Sequence, residues 1–179
     1  VAVAGVVAAL LASQPDLPLI VPILGGLLAG LVFGLLNGLI ITKSKIAPFI
    51  VTLGIMTMGR GLALILSKGR PISNLSESFN FIGGGDIFGI PFPIIVLVIV
   101  FIISYLLLKN TVFGRYVYAI GGNEQAAWAS GINVNKIKMA VYALCGTQAG
   151  LAGILLTSRI TTGQPNAGAG FELDAIAAA

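Results

Sequence analysis

Histidine does not occur in this sequence, acidic residues number only six, and the single cysteine, Cys145, sits inside an apolar run. Without histidine there is no histidine-based triad, and one thiol builds neither a disulfide framework nor a Cys/His zinc site. The acids stand apart with no paired motif, so no catalytic residue and no metal site is expected, and the chain does not read as an enzyme. Charge of either sign is scarce: Asp, Glu, Lys and Arg make up 9% of the 179 residues, against about 25% in a soluble domain. So few charges cannot solvate a surface in water, whereas a surface facing lipid needs none. The basic residues are scattered and the net charge is only +4, which argues against a nucleic-acid partner, since that would need a clustered basic face. A phosphate-binding Gly-x-x-x-x-Gly-Lys-Ser/Thr loop is also missing. The stretch Gly83-Gly84-Gly85-Asp86 lacks its lysine and hydroxyl and reads as a turn.

What the sequence does have is apolar. It is 57% hydrophobic with a mean hydropathy of +1.03. No charge lies between Asp16 and Lys43, and a helix from Ile23 to Thr42 would measure about 30 Å, the thickness of the hydrocarbon core. The expectation is an all-α fold, a polytopic transmembrane helical bundle forming one domain over 1–179, with about five spans near 1–12, 19–42, 46–66, 91–108 and 139–157. Pro18, Pro22, Pro48, Pro91 and Pro93 stand at the starts of spans, where a missing amide hydrogen does little harm. Both ends look cut: the stretch from Val1 reads as the end of a truncated span, and the last residues, 175–179, stop inside an apolar run. Between spans lie two polar segments, a loop at 67–90 with room for a short hairpin and a second at 109–138. The tail from Ser158 fits the start of a further helix or a re-entrant segment.

Basic residues set the orientation, because Lys and Arg gather on the cytoplasmic side. Lys43, Lys45, Lys109, Arg115, Lys136 and Lys138 fall on one side of the alternating spans; Lys68, Arg70 and Arg159 fall on the other. The segment 109–138 is then cytoplasmic and 67–90 external, in a multi-pass membrane protein with lipid around it.

Within the spans, Gly26, Gly30, Gly34 and Gly38 recur every four residues. That spacing makes one smooth stripe on a helix, the usual means of close helix packing in lipid. Asn37 lies beside the stripe, and an amide in lipid wants a partner. Arg60 sits about six residues, or roughly 9 Å, from the outer end of its span. An arginine at mid-membrane costs on the order of 3 kcal/mol, so Arg60 either snorkels outward or faces a translocation path. Asn37, Thr52, Thr57, Arg60 and Gln148 are the candidate path residues. None of the complete spans contains Asp or Glu, which counts against an ATPase-independent secondary transporter or channel driven by ion coupling.

The segment 109–138 carries a punctuated short helix. Asn123 follows Gly121-Gly122 and suits an N-cap; Glu124 places negative charge at the positive helix end; Gly131 is a natural stop. About two turns of helix lie outside the membrane with no core of their own, offering Ala126, Ala127 and Trp128 to a partner surface. Blander roles are that Glu124 only offsets the helix dipole and that Trp128 anchors at the membrane interface.

Asn123-Glu-Gln-Ala-Ala-x-x-x-Gly131 resembles the cytoplasmic coupling motif of binding-protein-dependent ABC transporter permeases, although Gln125 differs from the motif's commonest form. The stretches Pro48-Phe-Ile-Val-Thr-Leu-Gly54, Arg60-Gly-Leu-Ala, Gly69-Arg-Pro-Ile72, Gly114-Arg-Tyr-Val-Tyr-Ala-Ile-Gly-Gly-Asn-Glu124, Ser130-Gly-Ile-Asn133 and Gln164-Pro-Asn-Ala-Gly-x-Gly-Phe-Glu-Leu-Asp-Ala-Ile-Ala-Ala178 resemble the ribose-type monosaccharide permeases, in order along nearly the whole chain. The resemblance implies an importer permease subunit for a sugar such as ribose. Two permease chains, as a homodimer, would form the pathway. ATP-binding cassette ATPase subunits would dock at Asn123, Glu124, Ala126, Ala127 and Gly131, and an external sugar-binding protein would deliver the substrate. No cofactor is then expected in this chain, ATP being bound by the partner. The related branched-chain amino-acid permeases are the alternative.

Overall fold

The computed structural model describes residues 1–14, 16–44, 46–87 and 89–178. Lys45, one of the basic set on the Lys43 side, and Ala179, the last of the terminal apolar run, lie outside the described residues. The order of elements is α1 (Ala2–Ala12), α2 (Ile20–Ser44), α3 (Pro48–Leu66), α4 (Glu77–Gly84), β1 (Asp86–Ile87), β2 (Ile90–Pro91), α5 (Phe92–Asn110), α6 (Val112–Gly122), α7 (Glu124–Ala129), α8 (Val134–Ile160) and α9 (Phe171–Ala178). Four of them, α2, α3, α5 and α8, are long and apolar enough to cross a membrane. The two strands form only a small antiparallel hairpin, so the architecture is all-α.

The centre of the bundle is the antiparallel pair α2 and α8. Gly26, Gly30, Gly34 and Gly38 are the buried glycine row of α2, and each faces α8. A Cβ on Gly30 would fall on the Gly146 carbonyl and lie 2.8 Å from the Gly150 Cα; a Cβ on Gly38 would lie 3.0 Å from the Met139 Cα. Reciprocally, a Cβ on Gly146 would lie 2.7 Å from the Gly34 Cα. The two backbones therefore touch along several turns, with dispersion contacts that no larger side chain would permit. Helix α1 wedges against both. A Cβ on Gly153 would lie 2.5 Å from the Val1 carbonyl, and Ala8, Ala9 and Ala12 are buried with Phe79 and Ile154.

No residue of α5 is buried, and Phe101 is 70% exposed. In water such a surface would be untenable; against acyl chains it has no cost, because lipid is as apolar as leucine.

The segments expected as loops hold more helix than their composition suggests. The Gly83-Gly84 pair closes the last turn of α4 and Gly85 is its C-cap, where a turn was expected. Gly83 is required there: a Cβ would land on the Arg159 amide and lie 2.6 Å from the Ser158 carbonyl carbon. The fully buried Ser158 fastens α4 to α8, donating to the Phe79 carbonyl and accepting from the Gly83 amide, both at 2.6 Å. Ser158→Ala leaves that amide orphaned. It is expected to destabilise the junction of α4 with α8 by about 1–3 kcal/mol, measured as faster amide exchange across α4 with α2 unchanged. Helix α6 likewise lies inside the segment 109–138, and α8 starts at Val134, five residues before the expected 139, because the Asn133 side chain accepts from the Lys136 amide at 3.2 Å and caps it.

Candidate functional site

The segment between α5 and α8 is built as a chain of capped turns. Thr111 Oγ1 accepts from the Gly114 amide at 3.2 Å and starts α6 directly after α5. Asn123 then serves two helices. Its amide donates to the Ala119 carbonyl at 3.1 Å, closing α6, while its Oδ1 accepts from the Ala126 amide at 3.0 Å, opening α7. One of the free donors of the first turn is thereby satisfied. At the other end Gly131 has φ 84°; its amide donates to the Trp128 carbonyl at 3.0 Å, and the Ile132 amide to the Ala127 carbonyl at 3.1 Å. That pair of bonds is a Schellman stop, which needs a left-handed residue where glycine stands. Asn123→Ala removes the cap of α7 at a cost of about 1 kcal/mol. It is expected to speed exchange of the Ala126 amide about fivefold, read by hydrogen exchange on the otherwise folded protein.

The residues of this helix divide by face. Ala127 is buried, so it packs inward and is not part of a surface offered to a partner; this corrects the expectation that placed it there. Glu124, Gln125 and Ala126 are exposed, and Trp128 is 73% exposed. Trp128 is thus a free-standing ring, its face left open among the described residues. A groove of about 1200 Å³ runs beside it, lined by Glu124, Gln125, Trp128, Gly131, Ile132 and Asn135. Glu124 does more than face the helix dipole: its Oε2 accepts from Lys138 Nζ at 2.7 Å. In the sequence Lys138 reads only as a topological charge. Glutamate and lysine fourteen positions apart follow no local spacing rule, so nothing short of the fold announces the pair.

The candidate path residues separate into three places. Asn37, Thr52 and Arg60 line one cavity of about 410 Å³ between α1, α2, α3 and α9, together with Phe33 and Glu172. Asn37 Nδ2 donates to the Phe33 carbonyl at 3.2 Å, and its Oδ1 is buried without a partner among the described residues. Thr57 is exposed elsewhere on α3 and donates back to the Gly54 carbonyl at 2.7 Å. Gln148 donates to Ser104 Oγ at 3.0 Å and so links α8 to α5. Thr57 and Gln148 therefore do not share a surface with the other three.

Four membrane-length helices closed by a glycine seam, with a doubly capped short helix standing between two of them, define a polytopic helical membrane protein. The family described as "Branched-chain amino acid transport system / permease component" matches residues 1–179. The chain belongs to that family and is a multi-pass protein of the inner membrane. Among curated proteins it is 51% identical over 142 residues to the ribose import permease protein RbsC of Bacillus subtilis (strain 168), covering 78% of this chain and 44% of that protein. To RbsC of Escherichia coli (strain K12) it is 45% identical over 143 residues, with the same coverage. To the L-arabinose transport system permease protein AraH of Escherichia coli (strain K12) it is 45% identical over 139 residues, 78% of this chain and 42% of that protein. Each match spans less than half of the relative's own length. No solved structure matches the chain significantly.

Proposed function

We propose that this chain is the membrane-spanning part of an ATP-driven importer of a monosaccharide such as ribose, and that α7 is the helix on which its ATPase subunits act. The observation that carries the reading is the geometry of α7: a six-residue helix, capped at both ends, set outside two membrane-length helices and presenting Trp128 and Gln125 outward. A helix that short does not persist alone, so its rigidity is supplied by its caps and by α8. A rigid element joined to packed helices transmits a push, because packed interfaces switch between arrangements instead of deforming smoothly. The sequence holds no phosphate-binding loop of its own, so ATP belongs to partner ATPase subunits. A second permease chain would complete the pathway and an external binding protein would deliver the sugar. That Asn37, Thr52 and Arg60 line one cavity supports reading them as the contacts for a hydroxyl-rich substrate.

The family's description mentions branched-chain amino acids, while RbsC and AraH are named for ribose and L-arabinose transport. The test is uptake by proteoliposomes holding the full-length protein, its ATPase and its binding protein. Labelled ribose or another monosaccharide is expected to accumulate only with ATP inside the compartment that faces α7, and leucine is not. Accumulation of leucine, or of sugar without ATP, would reject the proposal.

A further inference from the structure

We propose that the Glu124–Lys138 ion pair is the strut through which displacement of α7 reaches α8, with Lys138 as its positioning residue. The inference rests on α7 being the coupling helix. Between α7 and α8 lies a turn of only four residues, 130–133. It contains Gly131 at φ 84°, the most permissive backbone in that corner. Pushed from outside, a turn of this kind bends, and the motion is lost before it enters the membrane. The ion pair closes the open side of the corner. Glu124 is the first residue of α7, and Lys138 stands one turn into α8, so the covalent turn and the 2.7 Å contact form two sides of a triangle. The corner then moves as a unit with the first turns of α8.

Beyond that corner the packing is rigid. Met139 and Tyr142, the neighbouring residues along α8, meet the backbone of Gly38, and Gly146 meets Gly30 and Gly34. A shift of α8 is therefore felt by α2, the helix that carries Asn37 into the cavity. The Glu124–Lys138 pair is the one salt bridge among the described residues. Lys136, two positions earlier, is exposed and points away from Lys138 on a helix with a 100° step. Side-chain exposures of 31% for Lys138 and 55% for Glu124 make the pair a modest contributor to stability. Its role here is geometric, and its loss is expected to be felt in coupling before it is felt in folding.

The experiment uses the complete transporter with the full-length permease in proteoliposomes and reads substrate transported per ATP hydrolysed. Lys138→Glu is expected to lower that ratio about two- to fivefold, the effect of losing an exposed ion pair, while ATP hydrolysis continues; Glu124→Lys is expected to lower the ratio at least as much. The double variant Glu124→Lys with Lys138→Glu is expected to restore the ratio, and Lys138→Arg to retain it. A double variant no better than the single ones would overturn the strut, since Glu124 would then act on another subunit. Single reversals that leave the ratio unchanged would overturn it as well. Should a single reversal fail to assemble, recovery of both assembly and ratio in the double variant still decides the matter. ATP-independent behaviour of the unaltered transporter is a separate result, which removes the coupling role of α7 and the strut with it.

Discussion

Leucine in place of Gly30 is expected to prevent α2 and α8 from closing and to cut the yield of folded full-length protein about tenfold or more. At Gly30 even a Cβ would sit on the Gly146 carbonyl and 2.8 Å from the Gly150 Cα. Backbone cannot swing aside as a side chain can, so the helices must part along the whole seam. Over-packing costs on the order of 1–3 kcal/mol where side chains give way, and the cost is larger where the obstacle is main chain. Separation also forfeits the contacts at Gly34, Gly38 and Gly150, because all belong to the same interface. The control is Gly61→Leu, on an exposed part of α3 where a Cβ would meet nothing within 4 Å. Detergent-extracted material run on a sizing column should give a monodisperse peak for Gly61→Leu and aggregate for Gly30→Leu. Equal peaks would mean that α2 and α8 do not meet through their glycines.

The second large effect concerns function without insertion. Gly131→Pro is expected to leave the protein in the membrane at normal amounts and reduce ATP-driven uptake by more than about tenfold. Proline fixes φ near −65°, whereas Gly131 stands at 84°. The substitution also deletes the amide that donates to the Trp128 carbonyl. It further disfavours the helical conformation of Ser130, whose φ of −80° and ψ of 6° lie where a residue preceding proline is crowded. The C-terminal stop of α7 is lost, and the corner between α7 and α8 is redirected. None of these groups lies within a membrane-length helix, so insertion has no reason to change. Gly131→Ala keeps the amide and adds only the left-handed penalty of roughly 1–2 kcal/mol, so its uptake should be intermediate. Uptake normalised to membrane protein distinguishes the three; a Gly131→Pro transporter of normal activity would remove α7 from the transport cycle.

Much of the fold is legible in the sequence because lipid imposes a coarse rule: a backbone in hydrocarbon must be helical, and a helix must be long enough to cross. The uncharged stretch from Leu17 to Thr42 states that rule almost alone. Asn123 and Gly131 are equally readable, since a side-chain cap and a left-handed stop are local chemistry. Features that depend on distant contacts are not. The spacing of Gly26 to Gly38 marks a face of α2 but says nothing of Gly146 and Gly150, its neighbours on α8. Helix α4 hides behind a glycine-rich composition because its stability comes from Phe79 and Gly83 docking on Ser158, far along the chain. Helix α6 is hidden for a similar reason: its glycines, tyrosines and valines are poor helix formers, and a cap from Thr111 outweighs them. In the site, Ala127 was expected on the outer face with Ala126. On a helix of six residues the sequence shows no polar-to-apolar contrast strong enough to say which alanine turns inward.

The claim on which the rest depends is that α7 stands on the cytoplasmic side and touches an ATPase subunit. The direct measurement is crosslinking from Gln125→Cys, an exposed position of α7, in full-length protein whose native thiol has been removed by Cys145→Ser. In membranes carrying the whole transporter, a short bifunctional thiol reagent should join Gln125→Cys to the ATPase, in a yield that changes with nucleotide. Labelling of Gln125→Cys by an impermeant maleimide from the outer face, with no ATPase adduct in any nucleotide state, would contradict it.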